Sequence, residues 1–267
     1  MYKESGKAES MALKTHIVRA VLRWQLSRFL RDAHPFNRLL GHAVRLQLGK
    51  ISDEQFRLEL DEFFAHLDRP AIMSALDFES KARQLNQPDG YKVNILALRQ
   101  NFPAGKLPQR MSIWRRRFAL LHHLGIRSDI LILRKGEPIP PHGHYRVVSG
   151  FYVLQGEVAI RHYDRVREEG EAVLVRKVLD TTLGPGGYTT NSEFRNNIHW
   201  LFGLAPVSYL FRVTVLGTPT ETFGGPGRFG DRVYLDPTGA QDSNGLITAP
   251  YINADAARKV PFQPPSV

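Results

Sequence analysis

The stretch 136–156, GEPIPPHGHYRVVSGFYVLQG, constrains the fold most because it holds two histidines separated by a single residue. In a β-strand, residues two apart point to the same face, so the imidazoles of His142 and His144 can reach one metal ion. Imidazole is the commonest neutral metal ligand and suits iron, zinc, copper and nickel. The pattern therefore favours a metal-binding strand over the alternative, a polar loop whose histidines bond only to backbone.

Length and composition limit the number of domains, the cysteine chemistry and the membrane segments that this chain can have. The chain has 267 residues, 42% of them hydrophobic, which is enough for one large domain or two small ones with a sizeable core. It contains no cysteine, so disulfides, thiolate ligands and cysteine nucleophiles are excluded. No apolar run approaches the ~18 residues of a membrane span, and no segment has the pattern of a signal peptide. We expect a cytoplasmic protein.

Helical periodicity is typical of the N-terminal part. We predict helices over 15–31, 36–48, 53–67 and onward to about residue 84, with proline breaks at Pro35 and Pro70. The order Ser52-Asp53-Glu54-Gln55 is a capping box that opens the third helix. The turn at 87–90 is the best boundary, which divides the chain into a helical region, 1–88, and a β-rich region, 89–267.

Basic residues dominate the first two predicted helices, and the net charge of the chain is +10. Six arginines accompany one acid between residues 15 and 49, whereas the next helix is acid-rich. Such a helix could bind nucleic acid or an anionic membrane surface, or its arginines could pair with the acidic neighbour or be solvated. We favour the pairing or solvation, because no nucleic-acid recognition motif accompanies the arginines.

Short apolar segments separated by turns follow the boundary and predict a barrel or sandwich. The predicted strands are 92–98, 129–133, 145–148, 151–154, 158–163, 172–179, 198–204 and 209–216, with a short basic helix at 112–123. The tail from Gly217 is rich in Gly, Pro, Thr and Asp, so we expect an ordered loop or meander against the barrel and assign it no chemistry.

The histidine stretch resembles the first motif of the cupin superfamily, which reads G, five residues, H-x-H, three or four residues, E, six residues, G. Gly136, His142, His144 and Gly156 match it, and Ser149 stands where the family has glutamate. The resemblance implies a jelly-roll barrel, mainly β, that holds a metal ion. The family's tendency to dimerise adds the expectation of a homodimer.

In that family a later strand supplies a third histidine. The resemblance assigns this role to His199, which follows the turn 184–187, a sequence similar to the P-x-G of the second cupin motif. His162 stays open as an outside candidate, because its strand does not reveal which face points inward. The remaining histidines, on predicted helices, are taken as structural: His16, His34, His42, His66, His122 and His123.

Three histidines with a small residue at the glutamate position resemble the thiol dioxygenase branch of the cupins. That branch implies Fe(II), dioxygen and a small thiol oxidised to a sulfinic acid. Two departures are clear: the chain has no cysteine for a cysteine–tyrosine thioether, and no histidine follows His199 to form the branch's Ser-His-Tyr triad. The alternatives are a cupin enzyme of another chemistry and a non-catalytic metal-binding cupin that binds an anionic small molecule.

Strand alternation suggests the remaining site residues. Ser149 facing inward would bring Phe151 and Val153 with it, and His199 would bring Leu201, Asn197 and Arg195. An arginine can hold a substrate carboxylate as a fork, and a tyrosine can donate a proton. The sequence therefore proposes these groups: Ser149, Tyr188 and Arg195 as catalytic, with Tyr152 as a second donor, and Arg146, Phe151 and Arg195 as substrate-binding.

Overall fold

The structure is a computed structural model that describes residues 35–75, 126–218 and 232–263. The predicted helices at 15–31 and 112–123, the predicted strand at 92–98 and the boundary at 87–90 lie outside the described residues. The division at residue 88 therefore stays a prediction.

Three helices form the described N-terminal part: α1 (Pro35–Gln47), α2 (Asp53–Ala65) and α3 (Arg69–Ala75). The capping box is confirmed, since the backbone N–H of Gln55 donates to Ser52 Oγ at 3.1 Å and that of Ser52 donates to Gln55 Oε1 at 2.9 Å. Pro70 lies in the first turn of α3, where a missing backbone N–H costs no helical hydrogen bond.

The β-rich part contributes ten strands and one short helix among the described residues. The strands are β1 (Ile126–Arg134), β2 (Pro138–His144), β3 (Val147–Gln155), β4 (Val158–Glu169), β5 (Ala172–Leu183), β6 (Tyr188–Asn191), β7 (Ile198–Gly203), β8 (Val207–Leu216), β9 (Arg232–Leu235) and β10 (Leu246–Ile252), followed by α4 (Ala254–Ala257). All pairings are antiparallel. One sheet has the order β1-β8-β3-β6, and the other, β10-β5-β4-β7-β2-β9, closes on itself.

Two details of the strand prediction need correction. The predicted strand at 145–148 is interrupted, because Arg146 adopts a positive φ of 56° between β2 and β3. The tail, predicted as loop or meander, instead supplies β9 and β10, and β9 pairs with β2 directly at the histidine pair. Glycine and proline composition conceals such short strands, since their pairing partners lie far away in sequence.

Side-chain alternation divides the core into layers. Even-numbered residues of β3 join the helices in one apolar cluster, which includes Phe56, Leu60, Phe64, Tyr152 and Phe211. The opposite face of the same sheet meets the second sheet through a cluster that includes Phe151, Val153, Ile160 and Leu201. A third cluster lies on the far face of the closed sheet. Two facing antiparallel sheets with helices on one outer face form a jelly roll, as predicted.

Candidate metal centre

Three histidines meet between the two sheets. His142 of β2 lies directly opposite His199 of β7 in the strand register, and His144 follows two residues later on the same face. The ligand nitrogens of the three residues all lie within 4.8 Å of one another. His142 and His199 are 1% and 2% exposed, whereas His144 is half-buried. The pairing of β2 with β7 therefore brings together residues 55 or more positions apart in the chain.

Backbone carbonyls determine the ring orientation of the two buried histidines. Nδ1 of His142 lies 2.7 Å from the carbonyl oxygen of Pro140, and Nδ1 of His199 lies 3.1 Å from that of Asn197. A carbonyl only accepts, so Nδ1 of His142 carries the proton and donates it, and Nδ1 of His199 does the same in the tautomer that bonds to Asn197. Each Nε2 consequently keeps its lone pair, which is the arrangement that a metal-binding imidazole requires.

Electrostatics keep these imidazoles neutral. Burial lowers the pKa of His142 well below its ordinary value, and the charges of His144, Arg232 and Arg212 add to the effect. Burial likewise lowers the pKa of His199, with further lowering from His142, His144 and His162. A neutral imidazole is the form that coordinates a metal.

The geometry fits a small metal ion. Two nitrogens that each bond a metal at about 2.1 Å lie at most about 4.2 Å apart, so small side-chain rotations close the observed group. Three neutral nitrogens suit first-row divalent ions such as iron, zinc or copper better than magnesium or calcium, which prefer oxygen. No carboxylate of the described residues belongs to the group. A bound divalent ion would keep its full charge and open coordination positions for anions.

A polar pair from the facing sheet borders the histidines. The Ser149 hydroxyl donates to Asn191 Oδ1 at 2.7 Å, and the Asn191 amide lies 3.2 Å from Nδ1 of His199. Ser149 and Asn191 are cross-strand partners on β3 and β6, and both are buried. Phe151, two residues further along β3, places its ring centroid 5.5 Å from that of His199. The structure therefore brings Ser149 and Phe151 to the three histidines.

His162 lies beside the group but outside it. It pairs with His199 in the register of β4 and β7, and the two ring centroids are 6.1 Å apart. Its Nδ1 donates to the carbonyl of Asn196 at 3.0 Å, and its Nε2 accepts from the Thr189 hydroxyl at 3.2 Å. Both ring nitrogens thus have protein partners. Burial lowers the pKa of His162 to about 4.

The structure places both predicted tyrosines away from the histidines. Tyr188 and Tyr152 point to the outer face of their sheet, where each ring lies within 6 Å of Phe64, at 5.9 and 5.8 Å. On β6 the inward positions belong to Thr189 and Asn191 instead.

The two predicted arginines also lie elsewhere. The side chain of Arg195 is 64% exposed and pairs with Asp164 at 3.4 Å. Alternation from His199 fails there, because residues 192–197 form a turn in which the backbone N–H of Arg195 donates to Ser192 Oγ at 3.1 Å. Arg146 donates through Nε to the carbonyl of Thr218 at 2.6 Å.

Besides Asn191, two residues at the site have no counterpart in the sequence prediction. Tyr234 of β9 is the register partner of His142, and their ring centroids are 5.9 Å apart. Arg212 of β8 is the register partner of Phe151 and shares the inward face with Leu210. The apolar alternation of 207–216 is the signal that could have found Arg212, because the arginine occupies an inward position.

Comparisons with known proteins add little beyond the fold. No protein-family model and no curated protein matches the chain. No described helix is long and apolar enough to cross a membrane.

Solved structures that show some similarity include an oxalate oxidase at 18% identity, which covers 34% of this chain and 42% of that chain with a TM-score of 0.27. A cupin domain of Cnp3 from Schizosaccharomyces pombe shows 10% identity, with 34% and 52% coverage and a TM-score of 0.27. A predicted oxalate decarboxylase from Thermotoga maritima shows 15% identity, with 36% and 71% coverage and a TM-score of 0.28.

The chain spans about half the length of the first two of these proteins. Likenesses at such TM-scores carry no argument about this chain. The chain itself shows a jelly roll that holds three histidines on adjacent strands between its two sheets.

Proposed function

We propose that this protein is a metal-dependent enzyme whose mononuclear centre is held by His142, His144 and His199. The single observation that carries the proposal is the convergence of three imidazoles between the sheets, with no carboxylate among them in the part of the chain that the structure describes. Two of the imidazoles are buried, neutral and oriented by carbonyl acceptors. Burial of their free ring nitrogens destabilises the fold unless a ligand binds to them.

The reaction we propose is an Fe(II)-dependent dioxygenation. Bound Fe(II) would supply dioxygen activation, and three protein ligands would leave positions for both oxygen and substrate. The chain's own contribution is to hold the substrate beside the ligands and to exclude water. Phe151, 3% exposed, supplies an apolar wall next to His199, and Tyr234 places a phenol next to His142.

The substrate class we propose is a small anionic thiol. A neutral donor set favours anionic ligands. Arg212 is the register partner of Phe151, and its charge contributes to the lowered pKa of His142, so a guanidinium is near enough to attract an anion. A thiolate and one dioxygen molecule give a sulfinate in a balanced step: the two S–O bonds form as the O–O bond breaks, and sulfur supplies four electrons. No external reductant is needed.

The test is anaerobic Fe(II) loading of the metal-free chain, followed by oxygen uptake with a panel of small thiols and their hydroxyl analogues. We expect one iron per chain, with uptake for anionic thiols alone. In Arg212→Gln we expect KM for the anionic thiol to rise about tenfold or more, because a charged hydrogen bond is lost. Iron retention should not change in that variant.

Two outcomes would contradict the proposal, one for the metal centre and one for the dioxygenase reaction. Failure to retain any divalent metal would refute the metal centre itself. Metal retention without oxygen uptake for any thiol would refute the dioxygenase assignment and favour the alternative, a metal-binding protein that holds an anionic small molecule.

A further inference from the structure

Asn197, just outside β7, contacts two of the three histidines. Its side-chain Nδ2 donates to the carbonyl of His144 at 2.8 Å, and its own carbonyl accepts from Nδ1 of His199 at 3.1 Å. Asn197 is 2% exposed, so water does not compete for these bonds. One residue therefore bonds to the backbone of one proposed ligand and to the ring of another.

The side-chain oxygen of Asn197 accepts a hydrogen bond from a buried cation, Arg165. Arg165 donates through one Nη to Asn197 Oδ1 at 3.1 Å and through the other to Glu168 at 2.8 Å. Its side chain is fully buried, and its guanidinium lies 4.3 Å from the ring centroid of Tyr145. The carboxylate of Glu168 also accepts from the hydroxyls of Tyr145 and Tyr251. This set, Arg165, Glu168, Tyr145 and Tyr251, is called the Arg165 cluster below.

Gly143, which lies between His142 and His144, leaves room for Asn197 and Arg165 behind the strand. A Cβ on Gly143 would lie 2.5 Å from Asn197 Oδ1 and 2.9 Å from the Arg165 guanidinium. Gly143 points away from the face of His142 and His144, so Asn197 and Arg165 lie directly behind the ligand strand. Any larger residue would push the amide away from the carbonyl of His144. The glycine of the H-G-H sequence thus has a packing reason that is independent of the metal.

We infer that Asn197 is a positioning residue that holds His144 and His199 in coordinating geometry from behind the strand, itself held by the Arg165 cluster. Asn197 donates through Nδ2 to the carbonyls of His144 and Ser192, at 2.8 and 3.2 Å. It accepts from Arg165 at Oδ1 and from His199 at its main-chain carbonyl. This inference rests on the proposed metal centre. Loss of an outer partner of a metal-binding histidine typically weakens metal binding by about 10- to 100-fold.

The discriminating variant is Asn197→Asp, which has nearly the same shape. It keeps an acceptor for Arg165 but loses the Nδ2 donor to the carbonyls of His144 and Ser192. We expect Co(II) affinity of the metal-free chain, measured by competition with a chromophoric chelator, to fall about tenfold, the low end of the range for a lost outer partner. The low end applies because the lost bond holds the main chain of His144, whereas the main-chain acceptor for the His199 ring is kept. The visible absorption of bound Co(II), which reports coordination geometry, should change, while the far-UV spectrum of the metal-free protein should not.

Asn196→Asp is a matched control. Asn196 also donates through Nδ2 to a main-chain carbonyl, that of Thr190 at 2.8 Å, so the substitution removes the same kind of bond one residue away. Co(II) affinity and absorption should match those of the unmodified protein. A second variant, Gly143→Ala, displaces Asn197 by crowding and should weaken Co(II) binding in the same way, which keeps the inference testable if Asn197→Asp does not fold.

The outcomes separate this inference from the proposed function. Unmodified protein that binds no Co(II) refutes the metal centre. Unmodified protein that binds Co(II), together with a folded Asn197→Asp or Gly143→Ala of equal affinity and unchanged absorption, refutes the positioning role alone. An equal loss in Asn196→Asp would also refute it, since the effect would then not be specific to the residue that touches the ligands.

Discussion

The position of a single proton on each buried imidazole decides what the three histidines can do. The carbonyls of Pro140 and Asn197 can only accept, so the protons of His142 and His199 lie on Nδ1 and both Nε2 lone pairs are available. His162 has the same Nδ1 arrangement, but Thr189 occupies its Nε2. A difference of one hydroxyl therefore distinguishes a candidate ligand from a structural histidine.

Substitution of one of the proposed metal-binding histidines tests this assignment. We expect His142→Ala or His199→Ala to lose stoichiometric metal, with a drop in affinity larger than the about 10- to 100-fold cost of losing an outer partner. The fold should persist, because the apolar cluster around Leu201 and Phe151 does not depend on the imidazoles. Metal analysis after gel filtration, with far-UV circular dichroism, measures both.

The matched control is His66→Ala, because the His66 side chain is 70% exposed on the helical region. It should keep full metal occupancy. Full occupancy in His199→Ala would show that the third ligand has been assigned incorrectly.

At the scale of elements, the docking of α2 on the four-stranded sheet depends on close approach. Phe64 of α2 lies over β3, and a Cβ on Gly150 would come within 2.6 Å of its ring and 3.0 Å of Leu60. Arg57 and Asp61 of the same helix bond to the hydroxyl of Thr190, at 3.1 and 2.7 Å. The helix therefore packs on the outer face of the strands whose inner face borders the three histidines.

Gly150→Ala should disturb that docking. Overpacking of a well-filled core costs about 1–3 kcal/mol. We therefore expect the free energy of unfolding to fall by about that amount and the urea midpoint to fall with it. Metal affinity should change little, because residue 150 faces away from the histidines. Equilibrium urea unfolding of the metal-free chain measures the effect.

Gly184→Ala serves as the comparison, since a Cβ there meets nothing within 4 Å. Its free energy of unfolding should stay within about 0.5 kcal/mol of that of the unmodified protein. Similar midpoints for the two variants would argue against tight contact between α2 and β3.

At the scale of the whole molecule, three buried histidines link stability to pH. In the folded state the pKa of His162 is lowered from 6.5 to about 4, mainly by burial, and those of His142 and His199 are lowered in the same direction. As pH falls below about 6.5 the unfolded chain binds protons that the folded chain does not. The stabilisation is therefore complete above pH 6.5 and is lost as pH falls toward about 4.

We accordingly expect the metal-free protein to lose stability between pH 7.5 and pH 5, by about 2 kcal/mol from His162 alone. Urea unfolding at several pH values measures the slope, and His162→Gln should make it shallower. A free energy of unfolding that stays constant or rises on acidification to pH 5 would contradict this account.

The sequence alone determined the features that depend on local pattern. The H-x-H pair with its framing glycines, the capping box at Ser52 and the alternating apolar strands all follow from residues close in sequence. They predicted a barrel or sandwich, while the resemblance to the cupin motifs supplied the jelly roll and His199 as the third histidine. Strand alternation placed Phe151 on the same face as Ser149. Alternation is reliable inside an uninterrupted strand, because the backbone geometry repeats every two residues.

Only the tertiary structure decided which distant residues join that site. The turn at 192–197 ends the alternation before Arg195, and the register of β9 against β2 brings in Tyr234 from a tail that shows no such pattern. The register of β3 against β8 places Arg212 beside Phe151. Strand ends and registers are set by non-local pairing and packing, so no count along the chain could supply them.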